Sequence, residues 1–549
     1  MAAVLGINAV FHDPAAALVV DGRVVAAAEE ERFSRRKHGK SCVPFSTWEL
    51  PEAAARWCLA EAGLDAGDVD AVAYSYDPVL AGARDVRCES ELVRDGWEPL
   101  RTLYAARAPL FLRAALPGLE PTRVRFVPHH VAHAASAYLA GPHRSAAVLV
   151  LDGRGECTSH LSGAALDGAL RPFASQALPH SLGLFYEAAT EHLGFRRASD
   201  EYKVMALAAY GEPRFAGALR EVVRVEGDGY RVEAVDFGTF VPRRRPDEVC
   251  TDAHADLAAS VQCRLEEAVL ELAHALHRRT RLSAIVLAGG VALNCVANAR
   301  LAREGPFEDV WVQPAAGDAG TALGAALYVA RELGDEVRPM ETAALGRAFS
   351  DGEIEAQLRA ASLPYELPGD LADRVAHLLA KDAVVAWFQG RSEFGPRALG
   401  HRSLLANPCH ARNVERLNEI KDREQFRPVA PMVSLERAAD VFDGRIPSPH
   451  MLFTHRVRPA WRERIPAALH VDGSARVQTV DPAEAPLLAR LLAAFEKRTG
   501  VPVLVNTSLN TAGRPMVDDP RDALECFGSA AIDALAIGPF LVRRSQAAA

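Results

Sequence analysis

The sequence predicts an α/β fold in which a duplicated unit is followed by a second α/β domain. Two observations support this prediction. A series of three short β-rich segments occurs at the start of the chain and again from about residue 146, and an irregular segment containing several Gly and Pro residues precedes a further set of strands and helices. The chain has 549 residues, more than one hydrophobic core usually serves, so two or three domains are expected.

The first repeat contains predicted strands over residues 4–8, 16–20 and 24–26. Asp21-Gly22 lies between the second and third of these strands. That pair predicts a hairpin, because a type I′ turn requires positive φ angles.

The second repeat has a predicted strand over residues 146–151, a polar loop that begins at Asp152, and a further strand near residues 158–161. Each repeat begins with three strands and continues into helices. This pattern favours the duplicated ribonuclease H-like arrangement of the actin, sugar kinase and Hsp70 superfamily, in which two such halves enclose a nucleotide cleft.

A candidate metal site is indicated by His129 and His133. Positions i and i+4 of a helix share a face, so both imidazoles can point to one ion while His130 points elsewhere. Asp152, at the end of a predicted strand, is a natural third ligand. The alternative is that a His-x3-His pair in an alanine-rich helix is ordinary packing.

A candidate nucleotide site follows the predicted strand over residues 283–288. Gly289 and Gly290 come between this strand and a helix, where backbone N–H groups can approach a phosphate, and Asn294 lies close by. Asp318 lies in a loop of small residues before another helix. Its carboxylate suits either a ligand role or helix N-capping, and the sequence leaves both open.

Composition limits the partners and the compartment. The net charge of −9 argues against a nucleic-acid partner held by phosphate neutralisation. The nine cysteines are scattered without a Cys-x2-Cys pair, which is typical of reduced thiols in a cytoplasmic protein. The sequence shows no signal peptide and no segment that approaches a membrane span, so we expect a cytoplasmic protein without a membrane partner.

Several motifs then indicate a family. The chain resembles the O-carbamoyltransferase family, which includes nodulation-factor enzymes and antibiotic-tailoring enzymes such as the tobramycin and cephem carbamoyltransferases. The resemblance covers nearly the whole chain, and its motifs stand in family order. They are HDPAAAL (residues 12–18), EEERFSRRKHG (29–39), HHVAHAASA (129–137), YKVMALAAYG (202–211) and GGVALN (289–294).

The resemblance implies that residues 1–338 form a Kae1-like carbamoyl-transfer domain. In the family, this domain binds a divalent ion, usually iron(II). The ligands implied here are His129, His133, Asp152 and Asp318, and the nucleotide-binding residues are Gly153, Gly289, Gly290 and Asn294. Two imidazoles and two carboxylates suit iron(II), manganese or zinc by ligand type, so the chemistry of the ligands leaves the metal open.

Residues 339–367 are predicted to be a linker, and residues 368–549 a second domain. Cations beside glycine, proline and hydroxyl residues suit phosphate binding, although single charges of this kind are usually solvated surface. The resemblance implies a YrdC-like domain that makes carbamoyl-adenylate from carbamoyl phosphate and ATP, with Mg²⁺ accompanying the ATP. Its implied phosphate and ATP residues are Arg397, Arg402, Lys421, Arg427, Arg476, Asn506 and Ser508.

His12 is the candidate general base for the acceptor hydroxyl, because the ordinary pKa of histidine lies near the working pH. The alternative is a structural histidine that caps a turn. Lys37 is a weaker candidate for lining the acceptor pocket, since charge runs are usually solvated. Residues 77–118 and 214–249 match no chemical motif, and their apolar and aromatic content suits a small-molecule natural product with a hydroxyl group.

Two other functions share parts of this pattern. A tRNA threonylcarbamoyl transferase would share both domain folds but would need a basic surface. An ATP-binding regulator similar to Hsp70 or a sugar kinase would share only the duplicated half. The sequence leaves open whether the chain is a monomer or a homodimer.

Overall fold

The computed structural model describes residues 2–39, 49–82, 98–511 and 513–544. The chain forms two compact units, Met1–Glu341 and Thr342–Ala549. Instead of a linker, residues 339–367 contain the helix Asp351–Ala360, whose Ile354 and Leu358 are buried in the core of the second unit. Ser350 and Glu353 form a capping box at the start of this helix. That motif marks an ordered element where the sequence suggested an irregular connection.

The first half of unit 1 is built on a five-stranded sheet. Its strand order is β3-β2-β1-β4-β5, with β2 antiparallel to its neighbours β1 and β3, and with β1, β4 and β5 parallel. The elements are β1 (Ala3–Asn8), β2 (Ala15–Val20), β3 (Arg23–Glu29), α1 (Glu31–Ser34), α2 (Glu52–Glu61), β4 (Ala71–Tyr74), α3 (Pro78–Gly82), α4 (Glu98–Ala115), β5 (Val124–Phe126) and α5 (His129–Tyr138).

The second half repeats this topology, with strand order β12-β11-β6-β7-β8 and the same sequence of antiparallel and parallel pairs. The predicted duplication is therefore confirmed. The elements are β6 (Ser145–Leu151), β7 (Thr158–Leu166), β8 (Ala169–Ala177), α6 (Leu182–His192), α7 (Glu201–Leu207), α8 (Ala216–Val222), β9 (Val223–Glu226), β10 (Gly229–Val232), α9 (Asp252–Thr280), β11 (Ala284–Ala288), α10 (Cys295–Glu304), β12 (Asp309–Val312) and α11 (Ala319–Glu332).

The predicted hairpin at the start of the chain is present. Asp21 and Gly22 connect β2 to β3 with φ angles of 51° and 71°, the positive values that a type I′ turn requires.

Helix α11 packs closely against α5, because both helices carry small residues at the contact. A Cβ on Gly324 would lie 1.8 Å from the carbonyl oxygen of Ala132. Only glycine permits this approach of the two backbones. The packing brings the start of α5 and the start of α11 to the same end of the two sheets, where the candidate metal ligands lie.

Unit 2 is a second α/β domain, as predicted. A seven-stranded mixed sheet has the order β19-β15-β20-β14-β13-β21-β22, and β16, β17 and β18 form a small separate sheet. The elements are α12 (Asp351–Ala360), α13 (Leu371–Ala380), β13 (Val385–Phe388), β14 (Arg402–Ala406), α14 (Arg412–Ile420), β15 (Ala430–Ser434), α15 (Leu435–Val441), β16 (Phe442–Asp443), β17 (Thr454–Val457), α16 (Pro459–Arg462), β18 (Ser474–Arg476), β19 (Gln478–Val480), α17 (Pro486–Thr499), β20 (Val503–Ser508), α18 (Pro520–Ser529), β21 (Ala534–Ile537) and β22 (Phe540–Arg543).

Among the described residues, none of the helices combines the length and the apolar character needed to span a bilayer.

Candidate functional site

The four predicted metal ligands lie together in unit 1. His129 and His133 occupy the first turns of α5, Asp152 follows β6, and Asp318 precedes α11. All four side chains are buried, and one ligand atom of each lies within 4.8 Å of the others. Asp318 makes no side-chain capping bond at the start of α11. Its position therefore favours the ligand role over N-capping.

The distances within this cluster suit a metal ion. Nε2 of His129 lies 3.4 Å from Oδ2 of Asp152 and 3.7 Å from Oδ1 of Asp318. Nε2 of His133 lies 3.8 Å and 3.6 Å from the same two oxygens. Within the part of the chain that the structure describes, neither Nε2 atom has a hydrogen-bond partner. Ligand atoms about 2.1 Å from a tetrahedral ion would be separated by roughly these distances, so the residues present fit a divalent cation.

The charges in the cluster are strongly coupled. Burial lowers the pKa of His129, but the carboxylates of Asp152 and Asp318 outweigh it and raise the pKa well above its ordinary value. Burial and the neighbouring His129 lower the pKa of His133. Burial would raise the pKa of both carboxyl groups, yet the imidazoles hold the pKa of Asp152 well below its usual range and lower that of Asp318. Both aspartates are thus kept as carboxylates, the form that binds a cation.

His130 does not point away from the site, contrary to the sequence prediction. Its Nε2 atom lies 3.8 Å from Oδ2 of Asp152, and its Nδ1 atom is 2.8 Å from the hydroxyl of Thr158. The first turn of α5 lies against the β6–β7 connection, so successive residues of the helix can both reach Asp152. His130 therefore lies beside a ligand carboxylate.

The glycine pair after β11 connects the metal-site loops by hydrogen bonds. The N–H of Gly289 donates to the carbonyl oxygen of Ala316, and the N–H of Gly290 donates to Oδ1 of Asp152, both across 2.9 Å. Gly289 has a φ of 90°, and a Cβ on it would lie 2.2 Å from the carbonyl oxygen of Leu151. These amides are already bonded within the protein. These bonds give the pair a structural role that includes orienting Asp152, and the nucleotide contact stays a prediction.

Asn294 is also engaged by the protein. Its Oδ1 accepts from the N–H of Ala297 at the start of α10, and its side-chain amide exchanges hydrogen bonds of 2.8 and 3.1 Å with Gln262. These contacts favour N-capping over the predicted nucleotide contact. Gly153, in contrast, lies beside the metal cluster, and a Cβ on it would come within 3.1 Å of the Glu187 carboxylate.

His12 reaches the metal cluster through its backbone. It lies in the loop between β1 and β2, and its N–H donates to Oδ2 of Asp318 across 3.1 Å. Its Nδ1 atom is 2.9 Å from Oδ2 of Asp13, and Nδ1 of His38 is 2.8 Å from Oδ1 of the same carboxylate. Burial would raise the pKa of Asp13, but the two histidines hold it well below its usual range. Neither Asp13 nor His38 was predicted from the sequence to be a site residue.

Lys37 is held by an ion pair. Its Nζ lies 3.3 Å from Oε2 of the buried Glu31, and the backbone N–H of His38 donates to the same oxygen. The side chain is 45% exposed, so it remains accessible. The predicted role in the acceptor pocket therefore stays a prediction. Of the two segments assigned to that pocket, residues 83–97 lie outside the described residues.

The best-defined polar cluster of unit 2 surrounds Lys421, at the end of α14. Nζ of this buried lysine donates to the carbonyl oxygens and side-chain oxygens of Ser508 and Asn510, with 3.0 Å to the Ser508 hydroxyl. Ser508 ends β20, and its hydroxyl is 2.8 Å from Oδ1 of Asn510. The two predicted residues, Lys421 and Ser508, are brought together. Asn510 is a further member that only the fold reveals.

Arg402 has a structural environment, and its predicted phosphate contact stays a prediction. The buried guanidinium donates to five backbone carbonyl oxygens, from Arg347, Gln389, Gly390, His401 and Asp518, at 3.0–3.3 Å. Its Cζ atom also lies 3.7 Å from the ring centroid of Phe388. These donors are used within the protein, so the contacts favour a structural role.

Arg397 lies in the loop between β13 and β14 and is half-buried. The carboxylate of the buried Glu393 holds this loop by accepting from the N–H groups of Leu399 and His401. The side-chain amide of Asn506 donates to the carbonyl oxygen of Ala398. Asn506 is completely buried, so it positions the loop that carries Arg397.

The other two predicted cations of unit 2 are half-buried. Nη1 of Arg427 lies 3.6 Å from Oε2 of Glu424, and Arg476 ends β18 opposite Thr454. Their phosphate role remains a prediction.

The chain is similar to known carbamoyltransferases over most of its length. Residues 3–86 and 110–327 match the family described as carbamoyltransferase N-terminus, and residues 376–544 match the carbamoyltransferase C-terminus. An uncharacterised protein of Synechocystis is 38% identical over 99% of this chain and 97% of its own length. Nodulation protein NolNO of Sinorhizobium fredii is 39% identical over 98% of this chain and 80% of its own length, and nodulation protein U of Rhizobium tropici is 31% identical over 94% and 92%.

Proposed function

The chain belongs to the carbamoyltransferase family, and we propose that it transfers a carbamoyl group from carbamoyl-adenylate to a hydroxyl group of a small-molecule natural product. One observation carries this proposal. The His129, His133, Asp152 and Asp318 cluster lies beside the loop of His12, a candidate base, and one carboxylate contacts both. A cation site and a base at one place are what acyl transfer to an alcohol requires.

The C-terminal unit forms the carbamoyl donor in this proposal. Carbamoyl phosphate and water give carbamate and inorganic phosphate. An oxygen of the carbamate then attacks the α-phosphorus of ATP, which accompanies Mg²⁺, and pyrophosphate leaves. Lys421 and Arg397 neutralise the phosphate charge, and the Ser508 hydroxyl offers a hydrogen bond. The adenylate gives carbamate a good leaving group, AMP.

The N-terminal unit performs the transfer. His12 accepts the proton of the acceptor hydroxyl, the acceptor oxygen bonds to the carbamoyl carbon, and the bond from that carbon to the AMP oxygen breaks. Asp152 is held for its role by the Gly290 N–H, and Asp318 by the His12 N–H. A divalent ion bound by these ligands, for which we propose iron(II), would polarise the carbamoyl oxygen and offset the charge of the departing AMP.

The acceptor is proposed to be a natural product such as an antibiotic or its sugar, bound near Lys37. The apolar and aromatic content of residues 77–118 and 214–249 supports a small molecule as the acceptor. We further propose a cytoplasmic monomer or homodimer with neither nucleic acid nor membrane as a partner. The net charge of −9 and the free thiols of all seven described cysteines support this setting.

The test uses the purified full-length chain with ¹⁴C-carbamoyl phosphate, ATP and Mg²⁺. Pyrophosphate release should depend on carbamoyl phosphate. Adding an extract of the producing cells, or a panel of hydroxylated antibiotics, should transfer the label to a stable organic product. ATP turnover that does not depend on carbamoyl phosphate would overturn the first half-reaction. Label that appears on tRNA and on no small molecule would overturn the proposed acceptor class.

A further inference from the structure

We propose that Asp13 is a positioning residue that orients the His12 imidazole for proton transfer, with His38 as the second partner of its carboxylate. This inference rests on the proposed function, because it assigns Asp13 a role through the proposed base. Asp13 and His38 lie outside the cluster of His129, His133, Asp152 and Asp318, in the loops that connect β1 to β2 and follow α1. With His12 they form a second group whose ligand atoms lie close enough to hold an ion, so metal content is one readout of the test.

The hydrogen bonds define the tautomer of His12. A carboxylate only accepts hydrogen bonds, so the 2.9 Å contact from Asp13 Oδ2 to Nδ1 of His12 requires the proton on Nδ1. Nε2 is then the basic nitrogen. The other oxygen of Asp13 accepts from Nδ1 of His38 at 2.8 Å, and Nε2 of His38 in turn accepts from the Ser199 hydroxyl at 2.8 Å. The donations thus converge on the Asp13 carboxylate, from Ser199 through His38 on one side and from His12 on the other.

The backbone of this loop is held in an unusual conformation. Phe11 and Asp13 have φ angles of 59° and 44°, in the left-handed region that costs roughly 1 kcal/mol or more for residues other than glycine. The side-chain amide of Asn8 donates to the carbonyl oxygens of His12 and Asp13, at 2.8 and 2.9 Å. Strain that is fixed by a buried amide in this way is typical of functional sites.

The proton balance explains why a carboxylate is useful here. As the acceptor oxygen bonds to the carbamoyl carbon and the bond to the AMP oxygen breaks, the hydroxyl proton moves to Nε2 of His12. The imidazole becomes a cation whose Nδ1–H faces the Asp13 carboxylate. Asp13 keeps its charge and stabilises this cation without taking a proton itself.

The experiment compares two acceptor nucleophiles in reactions of the full chain. The enzyme is supplied with ATP and carbamoyl phosphate, from which it generates carbamoyl-adenylate. Glycerol is the hydroxyl acceptor. Hydroxylamine attacks without prior deprotonation and gives hydroxyurea. Asp13→Asn should lower the rate of glycerol carbamoylation by about 100-fold or more, since general base catalysis contributes about that factor. Hydroxyurea formation, metal content and pyrophosphate release should stay close to wild type, and Asp13→Glu should recover part of the glycerol activity.

A second variant separates positioning from a structural effect. In a His12→Ala background, Asp13→Asn should cause little further loss, because the two residues act as one unit. Three results would overturn the positioning role. They are an equal loss of rate with both nucleophiles, an unchanged rate of glycerol carbamoylation, and the disappearance in Asp13→Asn of a second bound metal ion present in wild type. If His12→Ala keeps full glycerol activity, the proposed base is wrong. If wild type gives no product with either nucleophile, the proposed transfer itself fails.

Discussion

The backbone N–H of His12 donates to Oδ2 of Asp318 across 3.1 Å, although 306 residues separate them in the sequence. The other oxygen of the same carboxylate lies 3.7 Å from Nε2 of His129 and 3.6 Å from Nε2 of His133. One carboxylate therefore joins the proposed base loop to the candidate metal site. Changes at the metal ligands are expected to affect acceptor transfer more than donor formation.

His129→Ala should abolish carbamoyl transfer and leave the consumption of ATP and carbamoyl phosphate largely intact. Removing one of four ligands should weaken metal binding by tenfold or more. The measurements are metal content by mass spectrometry, pyrophosphate release and product formation. His143→Ala is the matched control, since Nε2 of His143 also faces an aspartate, Asp309 at 3.1 Å, outside the cluster. Equal loss of both half-reactions in His129→Ala would contradict the assignment of two separate sites.

Lys421→Ala should block pyrophosphate release, because it removes the buried cation that contacts Ser508 and Asn510. Supplying preformed carbamoyl-adenylate should restore the carbamoylated product. Lys497→Ala, at an exposed lysine of α17, serves as the control and should behave like wild type. Absence of rescue by the adenylate would mean that Lys421 supports folding or both reactions.

Substitutions at Arg397 and Arg402 should have different effects, on catalytic activity at Arg397 and on the free energy of unfolding at Arg402. Arg402→Met leaves buried carbonyl oxygens without donors, so the free energy of unfolding should fall by about 2–4 kcal/mol. Arg397→Gln should keep wild-type stability but raise the KM for ATP or carbamoyl phosphate tenfold or more, because a phosphate contact is lost. Chemical denaturation and steady-state kinetics check both. A stable, inactive Arg402→Met protein would support the phosphate role that the sequence predicted for it.

The grouping of the candidate metal ligands could be predicted from the sequence because its signals are local. An i, i+4 histidine pair and an aspartate after a strand have a fixed direction once the element is known, as His129 and Asp152 show. The roles of Gly290 and Arg402 could not be predicted in the same way. Their donors bond to Asp152 and to backbone carbonyls that are distant in sequence, so only the folded chain shows that these donors are already used.

The helix that contains His130 was predicted correctly, but the direction of the His130 side chain was inferred from the helix alone and was wrong. The connection between β6 and β7 places Asp152 on the side of α5 that carries His130. Similarly, His38 and Asp13 are 25 residues apart, and the loop conformation that joins them depends on positive φ angles at Phe11 and Asp13. Neither Phe11 nor Asp13 stands in a turn motif such as Asp21-Gly22, from which positive φ angles could be predicted.

Glu201→Gln should stabilise the protein increasingly as the pH rises from 4.5 to 8. Burial, together with the nearby Glu187, raises the pKa of Glu201 from 4.5 to about 8. Between these values the folded chain holds a proton that the unfolded chain lacks. Stability therefore falls as the pH rises from 4.5 to 8 and has lost the whole contribution above 8.

Glutamine is neutral at every pH and keeps an oxygen that can accept from the N–H of Ala198, as Glu201 does across 2.8 Å. Thermal unfolding should show nearly equal midpoints for wild type and Glu201→Gln at pH 5, and a midpoint for the variant that is about 3 °C or more higher at pH 8.5. Glu226→Gln, at an exposed position of β9, should shift neither midpoint. A gain of equal size at pH 5 and pH 8.5 would mean that the effect comes from packing, because the charge of Glu201 is absent from the folded chain at the lower pH.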